Sequence, residues 1–103
     1  MKIALTNIPA EQAEGLAETL VSEHRVACVN LYPIQSVYVW KDAVRKEPEV
    51  TLMMKVSAEG VEALKKRVVE LHPYELPEFV VLDVDTRASL EAYVTFVRDG
   101  TAT

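Results

Sequence analysis

The amino-terminal part of the chain carries the pattern of a strand followed by an amphipathic helix. From Lys2 to Thr6, apolar and polar residues alternate with the period of two that is typical of a half-buried strand. Pro9 follows at a position where helices commonly begin. Beyond it, apolar residues recur with the spacing of one helix face, at Ala13, Leu16, Ala17, Leu20 and Val21. The polar residues between them predict a solvated opposite face.

The next stretch predicts a long β-hairpin. Residues Val26 to Leu31 are strand-like, the alternating run Ser36 to Trp40 follows Tyr32-Pro33, and Val50 to Val56 forms a third β-like run.

Large apolar side chains lie on both faces of the run Ser36 to Trp40. Alternation puts Val37 and Val39 on one face and Tyr38 and Trp40 on the other. Because one layer of helices covers only one face of a sheet, this pattern favours a partner subunit over the second face. Alternatively, the aromatic residues lie at a solvent-facing strand end.

The second half of the chain predicts a helix, a strand and a last helix. The first helix begins near Ser57, a suitable amino-terminal cap, and ends at His72 before a proline. Phe79 to Val84 is a short apolar strand. The last helix ends near Gly100 and carries apolar residues at Leu90, Tyr93, Val94 and Val97. The order βαββαβ plus a helix predicts an α+β sandwich, with helices on one face of a mixed or antiparallel sheet.

The composition of the chain argues against a multidomain protein, a membrane protein and a nucleic-acid-binding protein. The 103 residues predict a single domain, 1–103, and no apolar run approaches the ~20 residues that span a bilayer. The single cysteine cannot form an internal disulfide, and the amino terminus lacks a signal-peptide core, so we expect a cytoplasmic protein that does not contact the membrane. A net charge of −5, without a basic stripe, argues against nucleic acid as a partner.

The segment His72-Pro73-Tyr74-Glu75-Leu76-Pro77-Glu78 concentrates polar chemistry between prolines that fix the backbone. His72 is a candidate metal ligand or general base, although a protonated ring would also suit the end of a helix dipole. Glu75 and Glu78 either converge with His72 or point toward lysines of another subunit. Tyr74 is a candidate pocket-lining residue, because a packed tyrosine usually bonds its hydroxyl.

Few soft metal ligands are available in this chain. Cys28 is the only cysteine, and a free thiol in a strand often behaves as a small buried apolar group. One cysteine and two histidines cannot build a closed tetrahedral zinc site within one subunit. A transition-metal site would be weak, rich in carboxylates or shared between subunits. Glu47 and Glu49 are predicted to belong to a solvated charged end of the hairpin.

Four segments together resemble the CutA divalent-cation tolerance family: Ala27-Cys28-Val29-Asn30, Ser36 to Trp40, Leu52 to Lys55, and the proline-bracketed segment from His72 to Glu78. The resemblance implies a ferredoxin-like βαββαβ sandwich with a long β2-β3 hairpin, an extra carboxy-terminal helix and a PII-like homotrimer. It also implies binding of copper or other divalent cations, makes Cys28 a candidate ligand, and matches Lys55 to a lysine of the family. That lysine is expected to pair with Glu75 or Glu78, or else to bind an anion.

The leading hypothesis is a non-enzymatic homotrimer that binds copper(II) or another divalent cation and takes part in the response to metal ions, with a signalling or ligand-binding role at clefts between subunits. No cofactor is obligatory. The candidate metal ligands are Cys28, His72, Glu75 and Glu78, and the candidate pocket or interface residues are Tyr38, Trp40, Lys55 and Tyr74. The alternative is a small enzyme that uses His72 and a glutamate as an acid–base pair at the subunit interface.

Overall fold

A computed structural model of the protein describes residues 1–102. In chain order the elements are β1 (Lys2–Ile8), α1 (Ala10–Ser22), β2 (Cys28–Trp40), β3 (Ala43–Val56), α2 (Val61–Leu71), β4 (Val80–Asp83) and α3 (Glu91–Gly100). A 3₁₀ turn at Ala58–Gly60 leads into α2. This order confirms the predicted βαββαβ arrangement with an added last helix.

The four strands form one sheet in the order β2-β3-β1-β4, and every neighbouring pair is antiparallel. In this register Ile3 of β1 lies opposite Lys55 of β3 on one side and Leu82 of β4 on the other. Further along the chain, Asn7 lies opposite Thr51. The sandwich is therefore ferredoxin-like, as expected, and the sheet is antiparallel throughout.

The core lies between one face of this sheet and the first two helices. Alternate residues of β1 and β3, among them Ile8, Leu52 and Met54, are almost fully buried, as are Leu20 of α1 and Leu64 of α2. Complete burial of one such side chain stabilises a fold by about 1.5–3 kcal/mol. The predicted apolar face of α1 is confirmed except at its carboxy-terminal end, where Val21 remains 40% exposed.

The opposite face of the sheet lacks a cover of helices comparable to that of the core face. Leu82 and Val80 lie beside Ile3 and Leu5 on this face, and both β4 side chains are 45% exposed. Tyr32 lies on the same face, opposite Thr51. Contiguous exposed apolar surface of this kind is typical of an interaction site.

The hairpin is longer and more continuous than the sequence pattern predicted. Strand β2 runs through Pro33, and β3 begins before Pro48. Both prolines are tolerated because β2 is an edge strand, and because the outer half of β3 extends beyond the end of β1 and pairs only with β2. The strands are joined by Lys41 and Asp42, whose φ angles of 52° and 63° define the primed type of two-residue turn that suits twisted hairpins.

The predicted boundaries of the second helix are close to those observed. The Ser57 hydroxyl oxygen accepts a hydrogen bond from the Gly60 amide at 3.1 Å, which caps the 3₁₀ turn. At the other end, His72 leaves the helix with an extended backbone, as expected for a residue before proline. The polar segment therefore begins directly at the end of α2.

Candidate functional site

His72 fastens the segment 72–78 to the first strand. Its side chain is only 8% exposed. Nε2 lies 2.8 Å from the backbone oxygen of Asn7, and Nδ1 accepts a hydrogen bond from the Tyr74 amide at 3.2 Å. These partners select the tautomer that carries its proton on Nε2, because a carbonyl accepts and an amide donates. Both ring nitrogens are thus engaged with backbone groups.

Asn7 connects this segment to both β1 and β3, a role that the sequence pattern does not indicate. Its side-chain oxygen accepts a hydrogen bond from the Thr51 hydroxyl at 2.6 Å, and its Nδ2 donates to Glu78 Oε1 at 3.2 Å. The Thr6 hydroxyl donates to the backbone oxygen of Glu78 at 2.6 Å. From the sequence alone, a single asparagine in an alternating strand is expected to face solvent. Only the fold brings it against the segment that follows α2.

Tyr74 joins the same segment to the hairpin. Its hydroxyl donates a short hydrogen bond of 2.6 Å to Oε2 of Glu49, and its ring packs at a tilt against His72, with 4.9 Å between centroids. Desolvation raises the pKa of the Tyr74 hydroxyl strongly, and the bond to Glu49 raises it further. Tyr74 is therefore protonated over the whole physiological pH range.

The interpretation of Glu49 as part of a solvated charged end is wrong. Its side chain is only 6% exposed. The error arises because β3 begins earlier than predicted, and its alternation turns Glu49 toward Tyr74. Glu47 lies two residues closer to the hairpin tip than Glu49, and its Oε2 accepts a hydrogen bond from the Tyr38 hydroxyl at 2.9 Å. That bond is the main cause of the raised pKa of Tyr38.

A cleft of about 700 Å³ lies between the outer part of the hairpin and the segment after α2. Trp40 lies on the hairpin side of this cleft, and the ammonium nitrogen of Lys41 is 5.8 Å from the centroid of its ring. The lining residues are Asn7, Ser36, Val37, Tyr38, Val39, Trp40, Glu49, Pro73, Tyr74, Glu75, Leu76 and Glu78. The structure thus brings Tyr38, Trp40, Tyr74, Glu75 and Glu78 to one cavity.

The cleft carries an excess of negative charge. Glu49, Glu75 and Glu78 all line it, and none of them forms a salt bridge within the described part of the chain. Glu49 accepts a hydrogen bond from Tyr74 and Glu78 accepts one from Asn7, and both donors are neutral groups. Uncompensated carboxylates in a concave site concentrate cations there.

Cys28 and Lys55 lie away from this cleft. They are opposite each other in the sheet, and Lys55 is level with Ile3, whereas Glu78 contacts Asn7. Four residues along a strand correspond to about 13 Å. Within residues 1–102, Lys55 therefore makes none of the predicted salt bridges with Glu75 or Glu78.

The surroundings of Cys28 are those of a partly buried thiol beside an aromatic residue. The thiol is partly buried and is close enough to Tyr93 of α3 to influence the pKa of its hydroxyl. Burial is the main cause of the raised Tyr93 pKa, and Cys28 adds to it. One chain thus does not bring Cys28 to His72.

No three His, Cys, Asp or Glu side chains in residues 1–102 are grouped so that they could hold a metal ion. A single chain thus does not fit the closed transition-metal geometry of three or four protein donors. His72 and a carboxylate are also not hydrogen-bonded to each other in this region, so an acid–base pair is not assembled in one chain. No helix among the described residues is both long and apolar enough to cross a membrane.

The antiparallel sheet, the long hairpin and the cleft at its base define a protein of PII-like, ferredoxin-like architecture. The sequence profile of the family described as CutA1 divalent ion tolerance protein matches residues 2–100. The chain belongs to this family.

Related proteins agree with this assignment. The divalent-cation tolerance protein CutA of Thermus thermophilus is 34% identical over 102 residues, which cover 97% of each chain. The structure of the PII-like protein CutA from Nostoc sp. PCC 7120 in apo form superposes with a TM-score of 0.97 at 63% identity, covering 99% of this chain and 98% of that chain. The CutA1 structure from Pyrococcus horikoshii superposes with a TM-score of 0.93 at 34% identity, covering 100% of both chains.

Proposed function

We propose that the protein is a non-enzymatic homotrimer of the cytoplasm that binds copper(II) or another divalent cation at clefts between subunits and takes part in the response to metal ions. The observation that carries this proposal is the cleft between the hairpin and the segment after α2. It gathers Glu49, Glu75 and Glu78, and none of the three forms a salt bridge with a residue of the described part of the chain.

The uncovered face of the sheet supports the assembly. Its apolar side chains, including Val80 and Leu82, would be removed from water by a second copy. On the other face of the hairpin arm, Val37 and Val39 are 64% and 68% exposed and offer a second apolar surface to another copy. Each 100 Å² of apolar surface buried in this way contributes about 2.5 kcal/mol before the cost of association. Closed homo-oligomers are the usual result when one subunit exposes such a patch.

The single-chain geometry supports a division of roles among the candidate ligands. Glu75 and Glu78 are the main oxygen donors, since they reach the cleft. His72 positions the segment, because binding a metal would require one ring nitrogen to give up its present hydrogen bond. Cys28 would contribute a thiolate only if assembly brings the thiol of another subunit to the cleft. Such a shared, carboxylate-rich site would bind metal with modest affinity.

Native mass spectrometry before and after addition of copper(II) tests both parts of the proposal. We expect a trimer that takes up about three ions, one per cleft, with uptake reduced in Glu75→Gln and unchanged in Glu18→Gln, an exposed carboxylate of α1. Cys28→Ala tests the shared thiolate. A trimer without specific copper uptake would contradict the metal-binding proposal, and a monomer would contradict the assembly as well.

A further inference from the structure

We propose that the cleft binds a small organic cation, an alkylammonium compound with an apolar carbon chain. The inference rests on the proposed function in taking the cleft between the hairpin and the segment 72–78 as the binding site. It goes further by naming a class of ligand other than a metal ion. Three independent features of the cleft support it: its aromatic lining, its charge and its size.

Aromatic rings form part of the lining. Tyr38 and Trp40 come from the hairpin and Tyr74 from the opposite side. A positive charge within about 6 Å of a ring centroid is attracted by the electrons of the ring, most strongly by those of tryptophan. The ammonium of Lys41 lies 5.8 Å from the Trp40 centroid, so this ring already attracts one primary ammonium, and a bound organic cation would have to displace that lysine or use another ring of the lining.

The carboxylates supply the charge that an ammonium group requires. Glu49 is the most informative of the three, because it is 94% removed from solvent and still lines the cleft. Tyr74 occupies its Oε2, and the other oxygen accepts no hydrogen bond from residues 1–102. Since Glu49 lines the cleft, this second oxygen is open to a hydrogen-bond donor on a bound ligand. An ammonium group supplies both a hydrogen bond and a balancing charge.

The dimensions distinguish an organic cation from a bare ion. Pockets for small molecules commonly measure about 300–1,000 Å³, and this cleft has a volume of about 700 Å³. Metal ions require several donors within about 2.0–2.6 Å, and residues 1–102 provide no such group. Apolar contacts with the aromatic rings and Leu76 would hold the carbon chain of an organic ligand, while the glutamates hold its charged ends.

Isothermal titration of the intact protein with 1,4-diaminobutane tests the inference, with 1,4-butanediol as a neutral ligand of the same length. In phosphate buffer at pH 7 and low salt, we expect saturable binding of the diamine and none of the diol. Trp40→Leu should weaken diamine binding about tenfold. Glu75→Gln should weaken it by at least about tenfold, because a charged hydrogen-bond partner is lost. Phe96→Leu replaces an exposed ring outside the cleft and should leave the affinity unchanged.

The outcomes separate this inference from the proposed metal-binding function. Trp40→Leu should weaken diamine binding while copper uptake in the mass spectrum stays the same, whereas Glu75→Gln should reduce both. No diamine binding, equal binding of the diol, or full affinity in both cleft variants would overturn the organic-cation site. Copper uptake without diamine binding would support the metal site and overturn the organic-cation site. Diamine binding without copper uptake would support the organic-cation site and contradict the metal site. If Trp40→Leu fails to assemble, Tyr38→Leu tests the same aromatic lining.

Discussion

Replacing His72 should destabilise the protein, because the ring forms hydrogen bonds with two backbone groups from different parts of the chain. His72→Ala removes the hydrogen bond to the Asn7 oxygen and the one from the Tyr74 amide, together with a side chain that is 92% removed from solvent. Each neutral hydrogen bond contributes about 0.5–1.5 kcal/mol, and the buried groups left unpaired add to the cost. We expect a loss of about 2–4 kcal/mol in the free energy of unfolding.

Two further variants divide this loss between the ring nitrogens. Glutamine can place an amide donor near the position of Nε2, and asparagine can place an acceptor near Nδ1, so His72→Gln and His72→Asn should each lose about 1–2 kcal/mol. Unfolding by guanidinium chloride, at one fixed subunit concentration, measures the differences. His24→Asn is the control, because His24 is exposed, and asparagine tolerates its positive φ of 57°. If His72→Ala stays within about 0.5 kcal/mol of the parent protein, the structural role is wrong and the ring is free to act as a ligand.

Three other predictions concern single contacts. Tyr74→Phe should lower the free energy of unfolding by about 1–3 kcal/mol, since the buried Glu49 loses a donor. Because the Tyr74 pKa is raised in the folded protein, the stability of the parent protein should fall above about pH 10 in thermal melts, and that of the variant should fall less steeply. A hydrogen bond from Arg67 lowers the Glu23 pKa, so the stability difference between the parent and Glu23→Gln should be complete above about pH 5 and shrink in acid-titrated melts as the pH falls below 4; a constant difference would contradict this. Gly60→Ala should lower the melting temperature, because its Cβ would lie 2.6 Å from a side-chain methyl group.

The periodic parts of the fold were predictable from the sequence, because burial imposes a regular spacing. The apolar face of α1 and the end of α2 at His72 both appeared where the pattern placed them. The full length of the hairpin strands was not predictable, since prolines usually interrupt strands. Pro33 and Pro48 are accommodated at sheet edges, and strand order is a long-range property that local patterns do not encode.

The candidate site was predicted in part, from the proline-bracketed segment and from the aromatic residues Tyr38 and Trp40 of the hairpin, which also line the cleft. Proline bracketing marked Tyr74 and Glu75, and both line the cleft. Asn7 was missed and Glu49 was assigned to a solvated charged end, because each belongs to a strand far away in the chain and meets the segment only through the fold. The family resemblance supplied Cys28 and Lys55 as candidates without their relative positions, and the sheet register separates both from the cleft.

Because of the two-residue turn of the hairpin, insertions and deletions at the hairpin tip should disturb the cleft more than those in other loops. Thirteen residue pairs between β2 and β3 are fixed in register by Lys41 and Asp42. A strand shifted by one residue would exchange its two faces, so that Val37 and Val39 would take the face that now carries Tyr38 and Trp40. Length changes at this tip should therefore be rarer among related proteins than substitutions along the arm. By contrast, the loop between β4 and α3 lies outside the lining of the cleft, and its length can vary without altering that register.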